Sequence, residues 1–156
     1  MRQVIIFTAI AVTGAVLGAN VYNSVVDVPN WGAQIPGSLE TARRYFGVRN
    51  PGTFFRVASP LSQALSLLML IAVWRLGGPA RGLAALALGF GVLADVFTFA
   101  YFYPRNEVMF VKPADVQAMT ESWVGWNSMN HVRNLLVLGG LVCQLSVLWC
   151  VARATD

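Results

Sequence analysis

The chain has 156 residues, of which 56% are hydrophobic and 12% are charged, and its formal net charge is +4. Soluble domains usually carry about twice this charged fraction, so the composition excludes an ordinary soluble domain. The positive charge is spread thinly and no nucleic-acid-binding motif occurs, so we expect no nucleic acid partner.

Four apolar stretches follow one another along the chain, each close to the ~20 residues that an α-helix needs to cross a bilayer. We predict helices over residues 4–26, 54–75, 82–104 and 124–151. The predicted fold is all-α, an integral membrane four-helix bundle that forms one domain over residues 1–156. The first stretch could instead be a cleavable signal peptide, because Arg2 precedes an apolar run that ends in small residues. We favour an uncleaved helix, because its polar face continues beyond that run.

The two long connections also carry structural signals. In the first, Ser38 is a suitable N-cap for a short interfacial helix that ends near Gly47. Its apolar face would hold Leu39, Ala42 and Phe46, which makes it a lid on the bundle. In the third connection, Pro113 is a plausible first helical residue. Four aromatic residues near these connections are expected to form a belt at one membrane interface: Trp31, Tyr45, Trp123 and Trp126.

Basic residues indicate the orientation. The short second connection holds Arg75 and Arg81, and Arg2 and Arg153 would lie on the same side. By the positive-inside rule this side is cytoplasmic, although the opposite side carries more basic residues, mixed with acidic ones. We predict a bacterial inner membrane protein with both termini in the cytoplasm.

Polar residues gather at one end of all four predicted helices, whereas the other half of the bundle is almost wholly apolar in sequence. Ionisable groups at membrane depth usually mark a functional site, so we predict a ligand pocket near one face. The alternative is that these groups only join helices through hydrogen bonds. The residues expected to bind the ligand are Asn20, Asn23, Arg56, Tyr101, Arg105, Trp126, Asn127, Asn130, Arg133 and Asn134.

His131 is the only histidine, and it is either a general base or a structural hydrogen-bonding group. Asp95 either pairs with Arg105 or Arg133, or accepts a hydrogen bond that orients His131. A zinc site would need more nitrogen or sulfur ligands, and a single histidine cannot supply two haem ligands. We therefore expect no metal site. Two cysteines lie seven residues apart on the last helix, too far apart for a disulfide.

Several short motifs carry a resemblance to a known family. They are Asn-x-x-Asn at residues 20–23, Asn-Pro-Gly-x-Phe-Phe-Arg at 50–56, Tyr-Phe-Tyr-Pro-Arg-Asn at 101–106 and Trp-x-x-x-Asn-His-x-Arg-Asn at 126–134. Together they resemble small four-helix membrane proteins of the anthrone-oxygenase-like family. That family opens its last helix with Trp-Asn-x-x-His-x-x-Arg. Here the spacing is shifted, with three residues between Asn127 and His131 and one between His131 and Arg133.

The resemblance implies cofactor-independent oxygenation of an anthrone-like phenolic substrate to a quinone. His131, oriented by Asp95, would remove a carbon-bound proton, and Asn127, Asn130 or Arg133 would donate a hydrogen bond to the enolate oxygen. The alternative is a non-enzymatic module that binds a lipid, quinone or pigment, or an accessory subunit of a larger membrane complex. Expected partners are membrane lipid, a small hydrophobic or phenolic ligand, and either further copies of the chain or that complex.

Overall fold

The structure is a computed structural model that describes residues 1–111 and 115–153. These residues are almost entirely helical and contain no strand, which confirms the all-α fold. The five helices are α1 (Arg2–Gly32), α2 (Gly37–Tyr45), α3 (Pro51–Leu76), α4 (Gly78–Phe110) and α5 (Val116–Arg153). All except α2 are long and apolar enough to cross a membrane, which indicates a four-helix membrane bundle.

Two of the long helices, α1 and α4, extend beyond their predicted ends because each continues through a proline. A π-helical segment lies at Asn23–Asp27 in α1 and at Thr98–Phe102 in α4, followed shortly by Pro29 and Pro104. A proline ring clashes with the carbonyl of the residue four positions earlier, which lies inside the wider turn in both helices. The predicted helix ends at residue 26 and at Pro104 are therefore wrong.

The interior of the bundle is layered along its length. At the end that holds the helix starts of α1 and α4, a terminal plug closes the core with Ile6, Met69, Val73, Ala84 and Val147. Nearer the middle is a thin apolar layer of Val16, Ala58, Ala94 and Val137. The opposite end is filled by an aromatic cap that includes Val28, Trp31, Leu39, Phe102, Met109 and Trp126.

The aromatic cap changes the interpretation of the predicted aromatic belt. Trp31 and Trp126 are buried, and their rings meet edge to face with centroids 5.5 Å apart. Trp126 Nε1 also donates a hydrogen bond to Asn106 Oδ1 at 2.9 Å. Of the four aromatic residues in the predicted belt, only Tyr45 is largely exposed, at 82%. The belt prediction is wrong for these two tryptophans, because their rings form the core at this end of the bundle.

The helix α2 packs on the aromatic cap as the predicted lid. Leu39 and Ala42 are buried and Phe46 is partly buried, which confirms the predicted apolar face. Ser38 lies inside the helix instead of capping it, and its hydroxyl donates a hydrogen bond to the Trp31 carbonyl at 2.5 Å. The helix start predicted at Pro113 lies outside the described residues.

One arginine fastens this lid to the end of α4. Arg43 donates from Nε and Nη2 to the Met109 carbonyl, at 3.1 and 2.6 Å. A cation is favoured there because the last carbonyls of a helix carry partial negative charge. We expect Arg43→Gln to lower the free energy of unfolding in detergent by about 1–2 kcal/mol.

The matched control for the lid contact is Arg44→Gln. Arg44 is on the same helix, is 80% exposed and, among the described residues, its side chain pairs with Glu40. An exposed pair of this kind contributes about 0.5 kcal/mol, so the control should unfold almost like the parent protein. Equal losses in the two variants would contradict the anchoring role of Arg43.

Candidate functional site

Below the aromatic cap, amide side chains and one guanidinium occupy the bundle interior. Asn130, which is 1% exposed, donates to Ser24 Oγ at 2.5 Å, and Asn134 donates to the same hydroxyl at 2.9 Å. Arg133 donates from Nη2 to Asn130 Oδ1 at 2.5 Å. Asn20, one turn before Ser24, is buried and its Oδ1 finds no partner within the described residues. These five residues form the amide–arginine cluster, which ties α1 to α5.

The charged guanidinium of Arg133 interacts with two aromatic rings and with the side-chain amide of Asn130. The residue is 8% exposed, and its guanidinium carbon lies 4.3 Å from the ring centroid of Phe102 and 5.2 Å from that of Trp126. Such cation–π contacts strengthen when water is excluded. Arg133 forms no ion pair with the described carboxylates, and Asp95 acts on it only at longer range. The predicted direct pairing of Asp95 with an arginine is wrong, because its carboxylate accepts a hydrogen bond from Gln63 instead.

Some predicted site residues lie away from this interior. His131 is exposed on the outside of α5, because the buried face of that helix passes through Asn130, Arg133 and Val137. In the described part of the chain His131 forms no hydrogen bond with Asp95, so its predicted inward position beside Asp95 is wrong. Arg56 is also exposed, and Asn127 is half-buried.

Tyr101 and Arg105 join α4 to α5. Arg105 donates from Nη1 to the Tyr101 carbonyl at 3.0 Å, and its guanidinium carbon lies 3.5 Å from the centre of the Tyr101 ring. The Tyr101 hydroxyl donates to the Gly125 carbonyl at 3.3 Å. A Cβ atom at Gly125 would lie 2.9 Å from Arg105 Nε, so the absence of a side chain at Gly125 leaves room for Tyr101 and Arg105. Both predicted residues therefore serve a helix contact.

An open groove of about 340 Å³ lies where the end of α1 meets the end of α2 and the start of α3. Inside it, the buried Asn23 donates from Nδ2 to Asp27 Oδ2 at 2.8 Å. The wall contains two aromatic pairs that meet edge to face, with ring centroids 5.0 and 5.2 Å apart. We call this the aromatic groove; it is lined by Ala19, Tyr22, Asn23, Asp27, Tyr45, Phe46, Pro51, Phe54 and Phe55.

The groove and the amide–arginine cluster are neighbours. Phe55 lines the groove, and its ring centroid lies 6.0 Å from the guanidinium carbon of Arg133. Of the ligand-binding residues predicted from sequence, only Asn23 lines the groove. Asp27, which follows Asn23 by one helical turn, lies on the predicted polar face of the first helix but was not among the residues expected to bind the ligand.

A second and smaller cavity, of about 40 Å³, extends from Asp95, at the predicted polar end, into the half of the bundle that was predicted to be almost wholly apolar. Gln144, 1% exposed, donates from Nε2 to Thr13 Oγ1 at 2.9 Å and to Ser66 Oγ at 3.0 Å. The Thr13 and Ser62 hydroxyls are hydrogen-bonded at 2.7 Å. That prediction is therefore wrong for the interior, although the outer surface there is apolar.

Over residues 1–111 and 115–153, no three His, Cys, Asp or Glu side chains come together in a way that could hold a metal ion. No protein-family model matches the chain, and it has no match among curated proteins or solved structures. The resemblance to the anthrone-oxygenase-like family stays a prediction.

Proposed function

We propose that this protein binds a flat hydrophobic ligand with a phenolic hydroxyl in the aromatic groove. The observation that carries this proposal is the Asn23–Asp27 pair, which places a carboxylate among aromatic side chains. A carboxylate accepts a hydrogen bond from a phenol, while ring walls hold a flat ligand by stacking and by edge contacts. The groove volume is within the range of about 300–1,000 Å³ that small-molecule sites occupy.

The ligand enters from the side of the bundle. Tyr22, Tyr45 and Phe54 line the groove and are all exposed, so the opening faces the bilayer and its interface. Aromatic residues at an interface can serve as membrane anchors without any ligand. The Asn23–Asp27 pair favours the ligand site over simple anchoring. Aromatic side chains that only anchor a protein in the membrane do not require a carboxylate between their rings.

Oxygenation of the bound ligand is our second proposal, supported by the resemblance and by a carboxylate in the groove. Asp27 takes a carbon-bound proton from an anthrone-like ligand, which leaves an enolate. The enolate gives two electrons to dioxygen, a carbon–oxygen bond forms, and the resulting peroxide anion takes the proton back from Asp27 to give a hydroperoxide. Loss of one water then yields the quinone. Asp27 replaces His131 as the proposed base, because His131 does not line the groove.

We also propose that the protein lies in a bacterial inner membrane with both termini in the cytoplasm. Support comes from arginines that stack on tryptophans at the terminal-plug end. Arg81 lies 5.4 Å from the Trp74 ring centre and Arg153 lies 4.6 Å from that of Trp149. Arginines are enriched on the cytoplasmic side, and tryptophans are enriched at both membrane interfaces. The aromatic groove then opens near the other face.

A binding titration tests the first proposal. We expect Asp27→Asn and Phe54→Ala each to weaken binding of a hydroxyanthraquinone probe by about tenfold or more, through loss of a charged acceptor and of a ring wall. Binding is followed by the absorbance of the probe, with the full chain in lipid nanodiscs.

The matched control is Phe99→Ala. Phe99 is an exposed aromatic residue outside the groove, and it meets the Tyr103 ring edge to face at 4.8 Å, much as Phe54 meets Phe55. It should bind the probe like the parent protein. If Phe99→Ala weakens binding as much as Phe54→Ala, the probe binds to exposed aromatic side chains in general and the groove is not the site.

Oxygen uptake tests the second proposal. With an anthrone as substrate, Asp27→Asn should abolish the consumption of one dioxygen per quinone formed, while His131→Ala retains it. The opposite pattern would return the role of base to His131.

A further inference from the structure

The small cavity draws its polar lining from all four membrane-spanning helices. It lies between the terminal plug and the thin apolar layer, whose Val16, Ala94 and Val137 form part of its wall. It shares no lining residue with the aromatic groove, so it is a separate site. The polar residues that matter are Thr13, Ser62, Gln63, Ser66, Asp95 and Gln144.

The hydrogen bonds of this cavity leave one donor and one acceptor unused. The two amide hydrogens of Gln144 go to Thr13 and Ser66, and Ser66 donates its own proton to the Ser62 carbonyl at 2.9 Å. Thr13 and Ser62 share one hydrogen bond, so one of these two hydroxyls keeps a proton without an acceptor. The Gln144 Oε1 atom is buried and has no donor within the described residues.

Water fits these unused groups. A cavity needs about 10–15 Å³ and two to four polar partners to hold a water molecule. This cavity has a volume of about 40 Å³, and its unused hydroxyl proton and amide oxygen supply two such partners. A water placed here would accept from the Thr13 or Ser62 hydroxyl and donate to Gln144 Oε1. Its second proton is free to turn toward Asp95, which lines the same space.

Asp95 is the titratable group of this cavity. Its carboxylate accepts a hydrogen bond from Gln63 of α3, and it forms no ion pair with any described cation. The charged group that acts on it is Arg133 of α5, at longer range, whereas α1 and α3 present only hydroxyl and amide groups to the cavity. A carboxylate at membrane depth is expensive unless a proton or a cation neutralises it.

We propose that this cavity is an internal proton-binding site, in which Asp95 takes up and releases a proton through water held by Gln144 and the Thr13–Ser62 pair. On uptake, an O–H bond of a hydronium ion breaks, an O–H bond forms on the carboxyl group, and neutral water stays behind. No electron moves. A metal cation is a poorer occupant, because the amide hydrogens of Gln144 take up lone pairs of Thr13 and Ser66 that a cation would need.

Infrared difference spectroscopy over a pH titration tests this proposal on the full chain in nanodiscs. Among the carbonyl bands of protonated carboxylic acids that appear as the pH falls, we expect one that shifts in D₂O and is lost in Asp95→Asn. The control Asp27→Asn changes a carboxyl group outside the cavity and should keep the band. Replacing Na⁺ by choline at fixed pH should leave the band unchanged.

A second variant, Gln144→Leu, tests the proposal independently if Asp95→Asn does not fold. Gln144→Leu removes the amide oxygen that holds the water, so the D₂O exchange of the band should slow at least tenfold. Three results would overturn the proposal: no band that Asp95→Asn removes, a band that follows Na⁺ at fixed pH, or unchanged exchange in Gln144→Leu.

Discussion

Replacing Gly32 with alanine is expected to lower the stability of the bundle strongly. A Cβ atom at Gly32 would collide with the six-membered ring of Trp123. The ring cannot easily swing away, because Trp123 Nε1 donates to the Val28 carbonyl at 2.9 Å. Overpacking usually costs about 1–3 kcal/mol, and we expect the upper end or more here because backbone and ring collide directly. Thermal unfolding in detergent measures the loss.

Gly14→Ala is the matched control on the same helix. A Cβ atom at Gly14 meets nothing within 4 Å, so this substitution should leave the stability unchanged or raise it slightly through better helix propensity. If Gly32→Ala and Gly14→Ala unfold at the same temperature, the close approach of α1 to Trp123 of α5 is not present in the protein.

The second large effect is expected for Asn130→Leu. Asn130 accepts the only hydrogen bond that the buried Arg133 side chain donates within the described residues, and it also donates to Ser24. Leucine has a similar volume but leaves the guanidinium without a hydrogen-bonding partner. Stranding a buried charge costs about 3–5 kcal/mol, so Asn130→Leu should unfold far below the parent protein.

A double variant separates this effect from simple loss of packing. Adding Arg133→Met to Asn130→Leu removes the stranded charge, and we expect most of the lost stability to return. Asn127→Leu, at a half-buried position on the same helix, should cost less than about 1 kcal/mol. A double variant less stable than Asn130→Leu alone would show that Arg133 is not a stranded charge in that variant.

The sequence predicts the four membrane-spanning helices well, because apolar runs of this length rarely occur outside membrane spans. It fails at Pro29 and Pro104, where a local rule says that a proline ends a helix. The π-helical segments that accommodate these prolines depend on packing at the end of the bundle. This packing leaves no pattern in the sequence. It also misses Gln144, although this residue continues the buried line of Asn130, Arg133 and Val137 at helical spacing.

The site was harder to predict for two reasons. It depends on the rotation of α5 about its own axis, and on where the connection that contains α2 packs. Asn130 and His131 are consecutive and both belong to a broad polar stripe, yet one is buried and the other is exposed. A rotation of about 100° per residue separates them, and only the packing of α5 decides which faces inward. The aromatic groove forms only when α2 and the start of α3 meet α1, and this meeting leaves no periodic signal in the chain.

Native mass spectrometry of the protein, purified gently from its own membrane, tests the aromatic groove most directly. We predict one small aromatic molecule per chain, lost from Asp27→Asn and Phe54→Ala and retained in Phe99→Ala. A chain that carries no small molecule, or one that is retained equally by all three variants, would contradict the groove as the ligand site.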